Sequence, residues 1–234
     1  MTGSTHDGRR AAILAIDCAT TQVVVASGSP NGRIDGLTTW PAGYRHGETL
    51  LPTIGRFLGE QNIRRSRLIG IVVGTGPGAF TGLRVGLATA KGLAHGLGLP
   101  LVGISTGTAL LEAAAETAGA ADGTAVLLLP AGPADRILVR PGSHPVLLPA
   151  GSEPELTAAE TLVAIDLEGR APAAALERGA AARAGLGAAL IRLGAARLAA
   201  GDTDDLARLV PDYVTLPRGV HAETGEVSWS HDLR

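Results

Sequence analysis

The sequence predicts an α/β fold of two subdomains, each a mixed sheet flanked by helices, on three observations. Short continuous apolar runs of strand length alternate with stretches of helical periodicity, a glycine-rich turn joins one such run directly to a helix, and composition shifts midway toward Ala, Gly and Pro. At 234 residues the chain is long enough to bury a substantial core. Apolar residues make up 45% of it but aromatics only 3%, so that core is built mainly from Ala, Val, Leu and Ile.

Taken in order, Ala11–Ile16 is continuously apolar, Val23–Ala26 is rich in β-branched residues, and Arg33–Trp40 alternates loosely. Polar turns at Thr20-Thr21 and Pro30-Asn31-Gly32 separate them, which predicts successive strands joined by hairpins. A helix follows over Glu48–Glu60, with Leu50, Leu51, Ile54, Phe57 and Leu58 on one side. Leu68–Val73 reads as a buried strand, Thr81–Leu97 as a helix and Leu99–Ile104 as a further strand. In the second half Val126–Leu129, Ile137–Val139, Val146–Leu148 and Leu162–Ile165 read as strands. Pro130 and Pro133 interrupt ladder hydrogen bonds, so the hairpin there should be shortened or looped. Thr157-Ala-Ala-Glu160 has the form of a capping box and predicts a short helix. Ala180–Ala200 predicts a long one, with Leu186, Leu190, Leu193 and Leu198 as core contacts. The division that results is a disordered polar tail at 1–10, a first subdomain at 11–108, a divergent second subdomain at 109–185, a helix and segment at 186–220 packing back on the first, and a mobile tail at 221–234.

Composition excludes several classes. A formal net charge of -2 and few aromatic platforms argue against a strongly basic, base-stacking nucleic-acid binder. The single cysteine, Cys18, excludes an intrachain disulfide, and no Cys/His array has zinc-ligand spacing. Met1–Arg10 is polar and lacks an apolar core of signal-peptide length, and no uncharged stretch reaches the ~20 apolar residues of a membrane helix. A cytoplasmic protein without membrane attachment is expected.

The densest motif is Gly74-Thr-Gly-Pro-Gly-Ala-Phe-Thr-Gly-Leu-Arg84, where strand, tight turn and helix start meet. Glycines 74, 76 and 78 allow close turns, Pro77 stiffens the bend, and the first N–H groups of the helix are left to face an anion or a partner's polar groups. Asp17 ends the first strand, with Thr20 and Thr21 in the turn after it. Two readings stand for that turn, a nucleotide site and a set of polar side chains satisfying backbone donors. Gly82, Gly86, Ala90 and Ala94 recur every four residues and make a narrow stripe along the second helix, suited to close packing against this chain's own sheet or against another helix. Interior Gly86 and Gly92 each cost ~1 kcal/mol in helix propensity, which implies a compensating contact. His46, Glu48 and His95 lie near helix ends, where helix electrostatics account for them without chemistry.

Ala12-Ile-Leu-Ala-Ile-Asp-Cys-Ala-Thr20, Gly76-Pro-Gly-Ala-Phe-Thr-Gly-Leu-Arg-Val-Gly86 and Lys91-Gly-Leu-Ala94 followed by Pro100-Leu-Val-Gly-Ile-Ser-Thr106 resemble, in order and spacing, the bacterial TsaB (YeaZ) family, formerly called glycoprotease-like. The resemblance covers about the first 108 residues. Tyr213-Val-Thr-Leu-Pro-Arg218 is similar to an altered form of the family's closing Tyr-Leu-Arg segment. It implies the actin, Hsp70 and sugar-kinase (ribonuclease H-like) fold. It further implies a non-catalytic partner of TsaD in making threonylcarbamoyladenosine next to the anticodon of tRNAs that read codons beginning with A.

On that resemblance the partner interface falls on Glu48, Leu51, Gly78, Phe80, Gly82, Arg84, Gly86 and Ala90, with a vestigial nucleotide site at Asp17, Thr20 and Thr21. It implies no catalytic residue, no metal and no cofactor required by this chain alone, with ATP or ADP entering at the level of the complex. The implied partners are TsaD, TsaE in a larger assembly, a second copy when alone, and tRNA through TsaD. TsaD-type enzymes carry a His-x-x-x-His metal pair on the helix after the Leu99–Ile104 strand, where this chain has Ser105-Thr-Gly-Thr-Ala-Leu-Leu-Glu. An ATP-dependent small-molecule kinase of the same superfamily and a glycoprotease-like metallopeptidase are the alternatives.

Overall fold

The structure, a computed structural model, describes residues 11–42, 46–117 and 123–214. The tails expected at 1–10 and 221–234 lie outside the described residues. The first sheet has the order β3-β2-β1-β4-β5, from β1 (Ala12–Asp17), β2 (Gln22–Gly28), β3 (Ile34–Pro41), β4 (Leu68–Gly74) and β5 (Leu101–Ile104). β1 pairs antiparallel with β2 and parallel with β4, so it is the central strand. Helix α1 (His46–Glu60) crosses from β3 to β4 and α2 (Phe80–Leu97) from β4 to β5.

The alternation of side chains along β1 sets the layers. Leu14 and Ile16 face a core shared with Leu50, Ile54 and Phe57 of α1 and Leu87 and Ala90 of α2. Ile13 and Ala15 face the opposite core, built with α3 (Thr106–Thr117) and α4 (Ala173–Ala199). Burial on both faces explains why β1 is continuously apolar rather than alternating. Beyond α3 and α4 the same core takes in Leu127, Leu129, Ile137 and Val139 of a second sheet, ordered β8-β7-β6-β9. Its strands are β6 (Ala125–Ala131), β7 (Asp135–Val139), β8 (Val146–Leu148) and β9 (Thr161–Ala164), and its far face is covered by Leu167, Ala171, Ala175 and Leu176. The molecule is therefore a stack of helix pair, sheet, helix pair and sheet, the α/β arrangement expected from the sequence.

Three local expectations are corrected. Leu51 does not join the inner side of α1 and is 52% exposed. The β6–β7 hairpin is not shortened: pairing continues through Pro130↔Arg136 to Ala131↔Asp135. Pro130 is tolerated because it stands beyond the last pairing of β6 to β9, Leu128↔Ala164, so its missing N–H costs no bond on that side. Thr157–Glu160 is a turn, not a helix. Its Glu160 carboxylate accepts the Thr157 N–H at 2.8 Å as a capping box requires, but Arg140 takes the same carboxylate at 2.7 Å and the chain enters β9.

Candidate functional site

The turn after β1 and the loop between β4 and α2 pack directly on each other. The Asp17 carboxylate accepts the Ala19 N–H at 2.8 Å and the Thr106 hydroxyl at 2.6 Å. Thr106 in turn accepts the Gly76 N–H at 3.1 Å, which ties β1, α3 and the glycine-rich loop to one buried acid. A Cβ on Gly74 would stand 1.8 Å from Asp17 Oδ2, so only glycine leaves room for that carboxylate. Burial pushes the Asp17 carboxyl up to about 6, against the Thr106 and Ala19 hydrogen bonds that favour its ionised form. Asp17 is fully buried and lies beneath the turn, within this network.

The remaining loop contacts follow the same pattern. Ala79 N–H donates to the Ala19 carbonyl at 2.7 Å, and a Cβ on Gly78 would lie 2.2 Å from that same oxygen. The loop glycines thus bring backbone against backbone. Thr20 turns its hydroxyl to the Gln22 carbonyl at 2.9 Å. Thr21 reaches across to the second subdomain, where its N–H and hydroxyl both donate to Asp166, at 2.7 and 2.5 Å. Arg183 of α4 completes that link with an ion pair to Asp166 at 2.7 Å.

Between the subdomains lies a cleft of about 850 Å³, floored by Ala19–Thr21 and by Gly78–Phe80 at the start of α2. The other wall carries Pro130, Pro133 and Asp135, and Asp212 and Tyr213 also line the cleft. The chain reaches the cleft along a strap that begins after α4. Asp204 N–H bonds the Leu101 carbonyl at 2.8 Å, and Asp212 receives the Thr75 hydroxyl at 2.7 Å. Tyr213 packs on Phe80 with ring centroids 5.1 Å apart and accepts a hydrogen bond from Arg84 Nε at 2.9 Å. Arg84 itself lies over the Phe80 ring at 3.8 Å. Sequence reasoning missed Asp166 and Asp212, since a lone Asp after an apolar run carries no signal. Tyr213 was visible only through the closing-segment resemblance.

The small-residue stripe of α2 faces inward. Gly82, Gly86, Ala90 and Ala94 are all buried, and a Cβ on Gly82 would stand 2.0 Å from the Cys18 carbonyl oxygen. On Gly86 it would stand 3.2 Å from the Cys18 Sγ. Gly82, Gly86 and Ala90 therefore do not face outward as a partner interface was expected to require: Gly82 and Gly86 lie against Cys18, just past the end of β1, and Ala90 is buried in the core shared with α1. Gly78 is likewise engaged with Ala19, and Phe80 with Tyr213. Of the expected interface, Glu48, Leu51 and Arg84 are exposed. The outward faces hold a different set, small residues with Leu51 among them. On α1, Gly47, Leu51, Gly55 and Gly59 recur every four residues, and on α2 Ala88, Gly92 and Gly96 do the same, all of them exposed. Apart from the helix's own backbone, no heavy atom of the described residues lies within 4 Å of a Cβ placed on any of those glycines.

At the place where the sequence resemblance implied the absence of a metal pair, α3 opens with Thr106, whose hydroxyl donates to Asp17, and Gly107, which packs on Val139. Among the described residues no group of His, Cys, Asp and Glu is arranged to hold a metal ion, and no helix is long and apolar enough to cross a membrane. His95 is exposed in the last turn of α2; the His46 side chain lies outside the described residues.

Residues 12–146 match the family model of TsaD, tRNA N6-adenosine threonylcarbamoyltransferase. The tRNA threonylcarbamoyladenosine biosynthesis protein TsaB of Haemophilus influenzae is 41% identical over 71 residues, 30% of this chain and 30% of that protein. TsaB of Escherichia coli is 35% identical over 97 residues, 40% of each chain. The chain thus spans less than half the length of these curated relatives. The solved structure of YeaZ from Pseudomonas aeruginosa superposes with a TM-score of 0.67 at 23% identity, covering 87% of this chain and 99% of that one, which shows a shared fold.

Proposed function

The chain belongs to the TsaD/TsaB family, on its TsaB (YeaZ) side, and from that premise we propose that it is a non-catalytic subunit that docks on TsaD and supports transfer of threonylcarbamoyl from threonylcarbamoyl-AMP to tRNA. The acceptor is N6 of the adenosine next to the anticodon in tRNAs reading codons that begin with A. One observation carries the docking: the outward faces of α1 and α2 expose Leu51 and helix glycines with open space before them. Interior Gly55 and Gly92 each cost ~1 kcal/mol relative to Ala, and no described residue outside their helix packs on them in return. A second pair of helices approaching closely recovers that cost, whether from TsaD or, when the chain is alone, from a second copy. The commitment of Asp17 to Ala19 and Thr106 favours an architectural turn over a nucleotide site.

On this reading the chain requires no cofactor of its own, ATP or ADP enters with the assembly that includes TsaE, tRNA is held mainly by TsaD, and the setting is the cytoplasm. The test is to mix the protein with TsaD of the same organism, follow complex formation by sedimentation, and assay threonylcarbamoyl transfer with and without it. A complex whose transfer activity depends on this chain, while the chain alone turns over no ATP, is the expected result. Absence of a complex, or catalysis by the chain alone, would reject the proposal and return the kinase and peptidase alternatives.

A further inference from the structure

We infer that Arg64, Arg65 and Arg67 form a contact for the phosphodiester backbone of an RNA. The inference rests on the reading of this chain as part of a tRNA-modifying assembly, and adds a direct contact to it. Arg64 is the N-cap of the single-turn 3-10 helix Arg65–Arg67, which leads straight into β4. All three side chains are exposed, and none has an ion pair or side-chain hydrogen bond with a described residue. Elsewhere in the molecule an arginine commonly faces a carboxylate, as Arg140 faces Glu160, Arg183 Asp166, Arg192 Glu112 and Arg197 Asp204.

The backbone under the three arginines is fixed. Arg67 N–H bonds the Arg64 carbonyl at 2.8 Å, Leu68 N–H bonds the Arg65 carbonyl, and the turn is pinned between Ile63, packed against the core, and buried Leu68. With about three residues per turn, Arg64 and Arg67 project on the same side with Arg65 beside them. Like charges held side by side repel, and an array of exposed guanidinium forks suits successive phosphates better than one small anion, which needs an enclosing cradle. Within residues 61–70 Ile69 is the one large apolar side chain that is exposed, at 39%, which is little for the apolar centre of a protein interface. The net charge of -2 does not cancel the patch, because screening confines charge effects to about 8–10 Å.

The location is compatible with docking. The cleft forms at the C-terminal ends of β1 and β4, whereas the arginines precede β4 at the opposite end, where α1 and α2 also finish. An RNA can therefore touch the patch while a partner covers the outward helix faces.

The test is the variant carrying Arg64→Gln, Arg65→Gln and Arg67→Gln, with Arg67→Glu alone as a second. Both should unfold at the wild-type temperature and sediment with TsaD as wild type does. Affinity of the triple variant's complex for unmodified tRNA should fall about tenfold at ~0.1 M salt, and the slope of log affinity against log salt should become shallower by about 2–3. Unchanged affinity and slope in a complex that forms would overturn the inference. So would loss of TsaD with tRNA binding retained, which would make the arginines a protein contact. If wild type does not associate with TsaD, the docking reading fails separately, and the patch is judged on the isolated chain. Retention of tRNA on a filter at low salt by wild type and not by the variant upholds it; equal retention, or none, overturns it.

Discussion

The two sides of α2 carry similar residues to opposite ends. Inward, Gly82 and Gly86 let the helix settle onto Cys18, close enough that a Cβ on Gly82 would sit 2.0 Å from a backbone oxygen. Outward, a Cβ on Gly92 or Gly96 would meet no described residue beyond its own helix within 4 Å. Both sides show a four-residue recurrence of small side chains, and both forgo helix propensity. Small residues report close approach, but not by what. The inward stripe is explained by this chain's own Cys18, whereas the outward one meets no described residue.

The inward face of α2 is most sensitive at Gly82. Gly82→Ala drives a methyl into the Cys18 carbonyl, a rigid backbone atom, and should destabilise the isolated chain by more than about 4 kcal/mol, read as loss of soluble folded protein or a collapsed denaturation midpoint. A Gly82→Ala protein of normal stability would place that face outside the core. The next effect is set by the acid under the same turn. With the Asp17 carboxyl at about 6 when folded and near 3.8 when unfolded, the folded state keeps its proton longer as pH rises. Stability relative to Asp17→Asn should therefore fall by about 2–3 kcal/mol from pH 4 to 7 and level off above. Urea denaturation of both proteins at each pH measures this, and parallel curves would contradict it.

On the outward side the sign reverses. Gly92→Ala should stabilise the isolated chain by about 0.5–1 kcal/mol through helix propensity, while Gly92→Trp should leave folding intact and weaken sedimentation with TsaD. Destabilisation by Gly92→Ala would mean an inward contact after all. The smallest change is Tyr213→Phe, which removes the hydrogen bond from exposed Arg84 but keeps the ring on Phe80. A loss of no more than about 0.5–1 kcal/mol is expected in thermal unfolding.

The first half of the fold was legible because its inner strands are buried on both faces, β3 at the edge alternates between half-buried and exposed, and α1 is buried on one side. Leu14 and Ile16 go to one core and Ile13 and Ala15 to the other, so β1 had to be an unbroken apolar run, and Leu50, Ile54 and Phe57 mark the inner side of α1 by spacing alone. The second half was less legible for a local reason. Thr157–Glu160 has the residues of a capping box, but a helix needs several turns to outweigh its nucleation cost, and Arg140 and the edge of β6 claimed the segment for β9. The candidate site was half visible. Asp17, Thr20 and Thr21 were found by position, whereas Asp166 and Asp212 come to the cleft from across 145 and 137 residues of chain, to Thr21 and Thr75.

By itself the sequence determined the α/β class, the order of strands and helices in the first subdomain, and the tight meeting of strand, loop and helix at Gly74–Arg84, because these follow from periodicity and from backbone freedom at glycine. Tertiary structure alone decided which face of α2 is spent on Cys18 and which is left open, and which distant acids line the cleft. Spacing along a helix fixes which residues share a face, while the direction in which that face points is fixed only by what the rest of the chain packs against it.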